Sequence, residues 1–249
     1  MTVFTEMSRL KTAIADAYIA CQDMGATMPA VLNSDNLEQC IASISGGGSP
    51  ATVLHLYDRV DGKGTVVGFW TDGNGTKYAV VVADAQYRSG GQKWNNKNGT
   101  NTPLPNYDSS SAALAAGESG TYNTDTVLNT YTATDYPAFN KARNATTVMI
   151  DDKTFVSCLP NVFELQMIWN DRSTIDTYDT TLTEYPSNDL TTWNIGGNSY
   201  NYCWSSNEKN ANYAWYVNSS NTVGNYLRDR TYGIIPIFEI PVDENGEVQ

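Results

Sequence analysis

Cys203-Trp204-Ser205-Ser206-Asn207-Glu208, then Tyr213-Ala214-Trp215-Tyr216-Val217-Asn218, then Gly233-Ile234-Ile235-Pro236-Ile237, is the stretch whose reading decides the fold. Around it, from Asn198 to Tyr232, Asn and Tyr fill fourteen of thirty-five positions. Tyr offers a rigid, amphipathic contact surface, and Asn and Ser offer adaptable hydrogen bonding, the mixture that antibody paratopes use. Two kinds of position separate within it. Trp204, Trp215, Tyr216 and Tyr213 carry large apolar bodies suited to pinning irregular backbone, and they read as scaffold, with Tyr202 beside them. Unpartnered Asn and Arg are costly to bury, so the expected contact set is Tyr200, Asn207, Asn210, Asn212, Asn218, Asn225, Tyr226, Arg228, Asp229, Arg230 and Tyr232.

Working outward, β signals dominate the flanks. Ala214–Val217, Thr222–Leu227 and Ile234–Ile240 read as short strands, and the acidic tail 243–249 reads as frayed. Thr52–Tyr57, Thr65–Trp70 and Lys77–Ala83 read as strands too, the last two joined by the turn Asp72-Gly73-Asn74-Gly75. Two helices are expected in between: one over 136–143, and one over 161–170 that follows Pro160 and carries Val162, Leu165, Met167 and Ile168. Residues 87–122 show no clear period and read as a long loop held by Trp94 and Tyr107.

Before the linker 46–50 (Gly46-Gly47-Gly48-Ser49-Pro50) lies a different pattern. Met7, Leu10, Ile14, Ala17, Cys21 and Met24 recur at 3-4 spacing, giving one apolar seam on a helix over 8–24. Asp35 and Glu38 suit the start of a second helix with Leu37, Ile41 and Ile44 on one face. Such short seams need a partner surface, so residues 1–45 are expected to form an attachment or homo-oligomerisation module. The main domain is then 51–242.

Bulk composition excludes several classes. A net charge of −12 and an isoelectric point near 4.4 oppose binding to nucleic-acid backbone, which requires clustered Lys and Arg. No apolar run approaches the ~20 residues of a membrane span, and no signal-peptide pattern is visible at the start, so neither membrane insertion nor a classical export route is expected. The four cysteines are far apart and lack nearby histidines, so they read as buried thiols rather than zinc ligands, with Cys158 and Cys203 the pair to examine for a bridge. No cofactor is called for.

The quoted motifs, together with Leu159-Pro160-Asn161-Val162-Phe163-Glu164-Leu165-Gln166, resemble the ending of bacterial and phage domains with a C-type-lectin-like fold. That group includes Lcl-type C-terminal domains and the variable proteins of diversity-generating retroelements. The resemblance covers roughly Val66 to Pro241 and departs at Ile235, where the family has Arg. It implies an α+β, C-type-lectin-like fold with short antiparallel strands and two main helices. Residues 7–44 are similar to helical modules at the start of phage tail proteins. Together these imply a non-enzymatic receptor-binding protein of a phage or prophage tail, located on the virion or on a bacterial surface. Its implied partner is a bacterial surface protein or glycan, met through a diversifiable face. A fixed-specificity adhesin is the alternative, followed by an enzyme on a formylglycine-generating-enzyme-like fold.

Several local strings have bland readings. Trp169-Asn170-Asp171 spells a motif of calcium-dependent lectins, yet it reads as a helix C-terminus. Asp72 and Asn74 read as turn formers rather than cation ligands. His55, the only histidine, has no nucleophile motif near it. Asp151 with Asp152, and Glu184 with Asp189, read as solvated charges rather than a glycosidase pair.

Overall fold

The computed structural model describes residues 51–97, 99–192, 195–197 and 201–249. The readings for residues 1–50, including both N-terminal helices and the linker, and for Tyr200 lie outside the described residues. Within Thr52–Gln249, one compact unit, the architecture is α+β.

The first layer is a sheet of four strands: β1 (Arg59–Val60), β2 (Gly64–Thr71), β3 (Lys77–Ala83) and, from the far end of the chain, β11 (Ile237–Pro241), in the order β1-β2-β3-β11. β3 has the predicted bounds, because an unbroken apolar run with β-branched Val80, Val81 and Val82 fits a strand buried on both faces. Each fully buried Val contributes about 1.5–3 kcal/mol. The turn before β3 is as expected: Asp72 Oδ1 accepts from the backbone N–H of Asn74 at 2.9 Å and of Thr76 at 2.8 Å. Thr52–Tyr57 is not a strand; only Val53 bridges, pairing with Glu247.

That bridge corrects the tail. Val242 pairs with Val248, Leu54 N–H donates to Gly246 O at 2.8 Å, and Val248 is buried. The acidic residues shape the fold-back, since Asp243 Oδ1 accepts from the N–H groups of Asn245 and Glu247.

The second layer is a sheet of five strands: β4 (Ser89–Lys93), then after the helices β7 (Tyr202–Asn210), β8 (Tyr213–Asn218), β9 (Val223–Leu227) and β10 (Thr231–Ile234), in the order β4-β10-β7-β8-β9. It is mixed, because β10 runs parallel to β7 at Gly233 and Cys203. The segment read as one strand over 234–240 is two, broken at Ile235-Pro236, which passes the chain from one sheet to the other. Ile235 is fully buried in the core shared by the sheets and the longest helix, a position that suits an apolar side chain.

Four helices are present among the described residues: α1 (Ser110–Leu114), α2 (Gly120–Thr130), α3 (Pro137–Arg143) and α4 (Val162–Tyr178). The stretch 87–122, read as a loop, is corrected: β4 and α1 lie inside it and α2 begins before its end. α3 agrees with the sequence reading. α4 starts where expected, through a capping box between Asn161 and Glu164, but runs to Tyr178. Asn170 and Asp171 are therefore mid-helix, and Ile175 repeats the buried stripe of Ile168 two turns on. A small hairpin, β5 (Thr147–Ile150) with β6 (Lys153–Val156), turns on Asp151 and Asp152, both at positive φ. Asp151 also accepts from the N–H and Oγ1 of Thr52. No helix among the described residues is long and apolar enough to cross a membrane.

Candidate functional site

The polar residues of β7 fold inward. Between the pairs Trp204↔Tyr216 and Glu208↔Ala214, β7 has two residues more than β8, so the strand bulges at Ser205-Ser206-Asn207. The bulge docks on the start of α4: Ser206 N–H donates to Pro160 O at 2.7 Å, and Asn207 Oδ1 accepts from Val162 N–H at 2.8 Å. Asn207 is buried and serves one of the helix's unpaired N-terminal donors. Its assignment to the binding face is corrected, because its oxygen is spent on the scaffold.

Arg228 is corrected on the same ground. It is fully buried, with Nη1 3.3 Å from Glu208 Oε1, and Nη2 donating to Thr100 O at 2.6 Å and to Ala211 O. Glu208 in turn accepts from the N–H of Thr102 at 3.0 Å and from its hydroxyl. The pair staples Thr100 and Thr102 onto the five-stranded sheet. Burial pushes the Glu208 carboxyl up and the Arg228 guanidinium down, each opposed by its partner.

Strand alternation sorts the rest. Side chains at successive positions face opposite sides of a sheet, and the pairs Trp215↔Asn225 and Ala214↔Tyr226 set the register. Asn225 thus lies on the side of Trp215, toward α4, while Tyr226 lies on the other side. Asn210 and Asn218 are turn formers: Asn210 Oδ1 accepts from Asn212 N–H and Tyr213 N–H, and Asn218 Oδ1 from Ser220 N–H and Thr222 N–H. Asn212 is exposed in the β7–β8 turn, and Asp229 and Arg230 in the connection that crosses from β9 to β10. Tyr213, assigned to scaffold, is also exposed.

What the fold does bring together is aromatic. On the Tyr226 side, Tyr202 stacks on Tyr216 with centroids 4.7 Å apart, Tyr232 meets Tyr202 edge-on at 4.9 Å, and Trp204 lies 4.3 Å from Tyr232. Tyr226 stands 6.4 Å from Tyr232. Trp204 is anchored beneath, its Nε1 donating to Gln92 O at 3.0 Å. The ring of Tyr216 lies across Gly224, where a Cβ would come within 2.5 Å of its Cζ and Oη, so only glycine leaves room for it.

The cluster opens at one end into a concavity of about 390 Å³ lined by Tyr202, Tyr226, Arg230, Thr231 and Tyr232. This size falls within the about 300–1,000 Å³ of small-ligand sites. Tyr226 is 43% exposed and Arg230 lies 5.7 Å over its ring. Tyr232, expected as an exposed contact, is 4% exposed and presents only part of its ring to the concavity. Burial first, then the neighbouring tyrosines, push the Tyr232 phenol up, so it remains protonated at neutral pH. Of the predicted contact set, then, Tyr226, Arg230 and Tyr232 converge. Tyr202 and Thr231 complete the lining and were missed. For Tyr202 the signal was available, since it sits two residues from Trp204 and therefore on the same side of the strand.

A second polar cluster was not foreseen either. Glu164 and Glu239 meet in the interior, Glu239 accepting from Gly120 N–H at 3.1 Å and Thr121 N–H at 2.7 Å, and Glu164 from Asn161 N–H at 2.7 Å. Burial, then the nearby Glu239, raise Glu164 well above the usual carboxyl range. These carboxyls tie the starts of α2 and α4 to β11 and open onto none of the lining just described. Of the carboxyl pairs named from sequence, Asp189 couples instead to Asp176, both accepting from Thr191 N–H. Cys158 and Cys203 are buried free thiols. His55 is exposed, its ring 3.2 Å from Asp58.

No protein-family model matches this sequence, and no curated protein matches it.

Proposed function

We propose that this chain is a ligand-binding protein of C-type-lectin-like fold, a receptor-binding component of a phage or prophage tail that engages a bacterial surface protein or glycan without catalysing a reaction. The observation that carries the reading is the tyrosine concavity with Arg230 at its rim. Large aromatic side chains partly open to solvent beside an arginine are the residue types that dominate binding hot spots. The lectin-like assignment and the tail location rest on the sequence resemblance, the latter on residues 7–44. Multivalent display through those residues would raise avidity.

A specific observation favours the fixed-specificity adhesin as the second reading. Much of the Asn bias has structural work to do: Asn207 is buried, and Asn210 and Asn218 hold turns. Fewer positions are then free to vary than the composition implies, and Asn212, Tyr226, Asp229 and Arg230 are the exposed remainder. A reverse-transcriptase gene beside a near-copy of the 3′ end, mismatched at template adenines, separates the two readings.

Binding itself is tested by flow cytometry of the labelled full chain on a panel of bacteria. Tyr226→Ala is expected to weaken retention about tenfold or more, a hot-spot loss, with an unchanged melting temperature. Undiminished retention of that variant would move the contact surface elsewhere.

A further inference from the structure

The tyrosine concavity has a particular chemical make-up. Its four uncharged lining residues, Tyr202, Tyr226, Thr231 and Tyr232, all carry a hydroxyl, and three of those hydroxyls sit on aromatic rings. The fifth residue, Arg230, is an exposed guanidinium. Among the described residues Arg230 forms no ion pair. Asp229 precedes Arg230 in the same turn but does not line the concavity. An unneutralised cation thus stands at one hydroxyl-rich aromatic site on a protein whose net charge is −12.

We infer that this site takes a sugar ring carrying an anionic substituent. The inference rests on the receptor-binding reading above and narrows it. A pyranose has C–H faces that pack on an aromatic ring and hydroxyl edges that exchange hydrogen bonds with phenols and threonine. That division matches residues in which each ring ends in a hydroxyl. A carboxylate or phosphate on the sugar meets Arg230 in a charge-assisted, bidentate geometry that lysine cannot supply. A peptide anchor fits less well, since a hot-spot side chain seeks a desolvated apolar pocket, and this concavity is lined with hydroxyls.

The test is calorimetric titration of the full chain with trigalacturonate, N-acetylglucosamine 1-phosphate and maltotriose. One or both anionic sugars are expected to bind at least tenfold more tightly than maltotriose. Which of the two binds identifies the anion as carboxylate or phosphate. Arg230→Gln is expected to remove about tenfold or more of that preference, the loss of one charge-assisted pair. Tyr226→Ala is expected to weaken all sugars alike. Equal binding of maltotriose and the anionic sugars, or an unchanged preference in Arg230→Gln, overturns the inference. Absence of binding by all three probes, with bacterial retention intact and still dependent on Tyr226, overturns it as well while leaving receptor binding in place. Loss of retention too overturns both.

Discussion

Arg228→Met asks whether this side chain belongs to the fold or to the binding face. In the wild-type chain the guanidinium is fully buried, 3.3 Å from Glu208, donates to the backbone carbonyls of Lys97, Thr100 and Ala211 and lies 5.2 Å from the centre of the Trp94 ring. Removing one partner of a buried ion pair costs about 3–5 kcal/mol. The carbonyls of Thr100 and Ala211 also lose their donor, which adds about 1 kcal/mol or more where water cannot reach them. Two effects soften the loss: the methionine stem keeps part of the packing, and Glu208, already pushed up by burial, can take a proton. The expected net loss is about 4 kcal/mol, and at about 2–4 °C per kcal/mol for a domain of this size the melting temperature falls by about 8–16 °C. Thermal and urea unfolding followed by circular dichroism measure it. Glu208→Leu added to Arg228→Met removes the orphaned carboxyl and is expected to restore more than half of the loss. A single variant that melts within about 2 °C of wild type yet binds bacteria poorly would refute the burial argument and return Arg228 to the contact set.

Two further predictions follow from the same geometry. Gly224→Ala places a methyl against the Tyr216 ring and is expected to cost about 1–3 kcal/mol by overpacking, with an altered near-ultraviolet circular dichroism spectrum as Tyr216 leaves Tyr202; an unchanged spectrum would count against the contact. Glu164, raised in the folded state, contributes stability that is complete below the unfolded carboxyl range near about 4.3 and is lost as pH rises through its folded value. Glu164→Gln keeps an acceptor for Asn161 N–H and a donor toward Glu239 without that titration, so its urea midpoint is expected to decline less than that of wild type from pH 4 upward, and parallel curves would exclude Glu164 as the titrating group.

Legibility in the sequence followed the locality of the signal. β3 and the Asp72 turn were readable because a β-branched run and an Asx turn are decided within a few residues. The start of α4 was readable from Pro160 and the apolar positions that follow it, but its end was not. Trp169-Asn170-Asp171 looked like a terminus, while the stripe continued through Ile175. α2 was missed because Thr and Asn, which fill it, have poor helix propensity, and its support comes from Ser119 capping and packing. The Thr147–Val156 hairpin had a usable signal in two Asp residues between short apolar runs. β7 was the deepest failure. Asn207 read as solvent-facing because isolated polar residues are expensive to bury, and nothing local announced that a helix start, Asn123 and Arg228 would satisfy Asn207, Ser206 and Glu208 in the interior. The candidate site was half legible: composition located Tyr226, Arg230 and Tyr232, whereas the side of the sheet on which each Asn falls required the bulge and the register.

The fold-back of the tail has a practical consequence for engineering. Thr52 and Val248 share a backbone hydrogen bond of 2.9 Å, so the two ends of the 52–249 unit lie side by side. Adjacent ends of this kind permit circular permutation. A short Gly-Ser linker from Gln249 back to Thr52 would preserve the Val53–Glu247 bridge, and new ends could be opened at the exposed Ser220 hairpin tip or at Asp152. The first of these openings interrupts the hairpin of β8 and β9 that carries Tyr216 and Tyr226, and the second leaves it intact. Comparing the two permutants would therefore separate chain continuity in that hairpin from the chemistry of the side chains it carries.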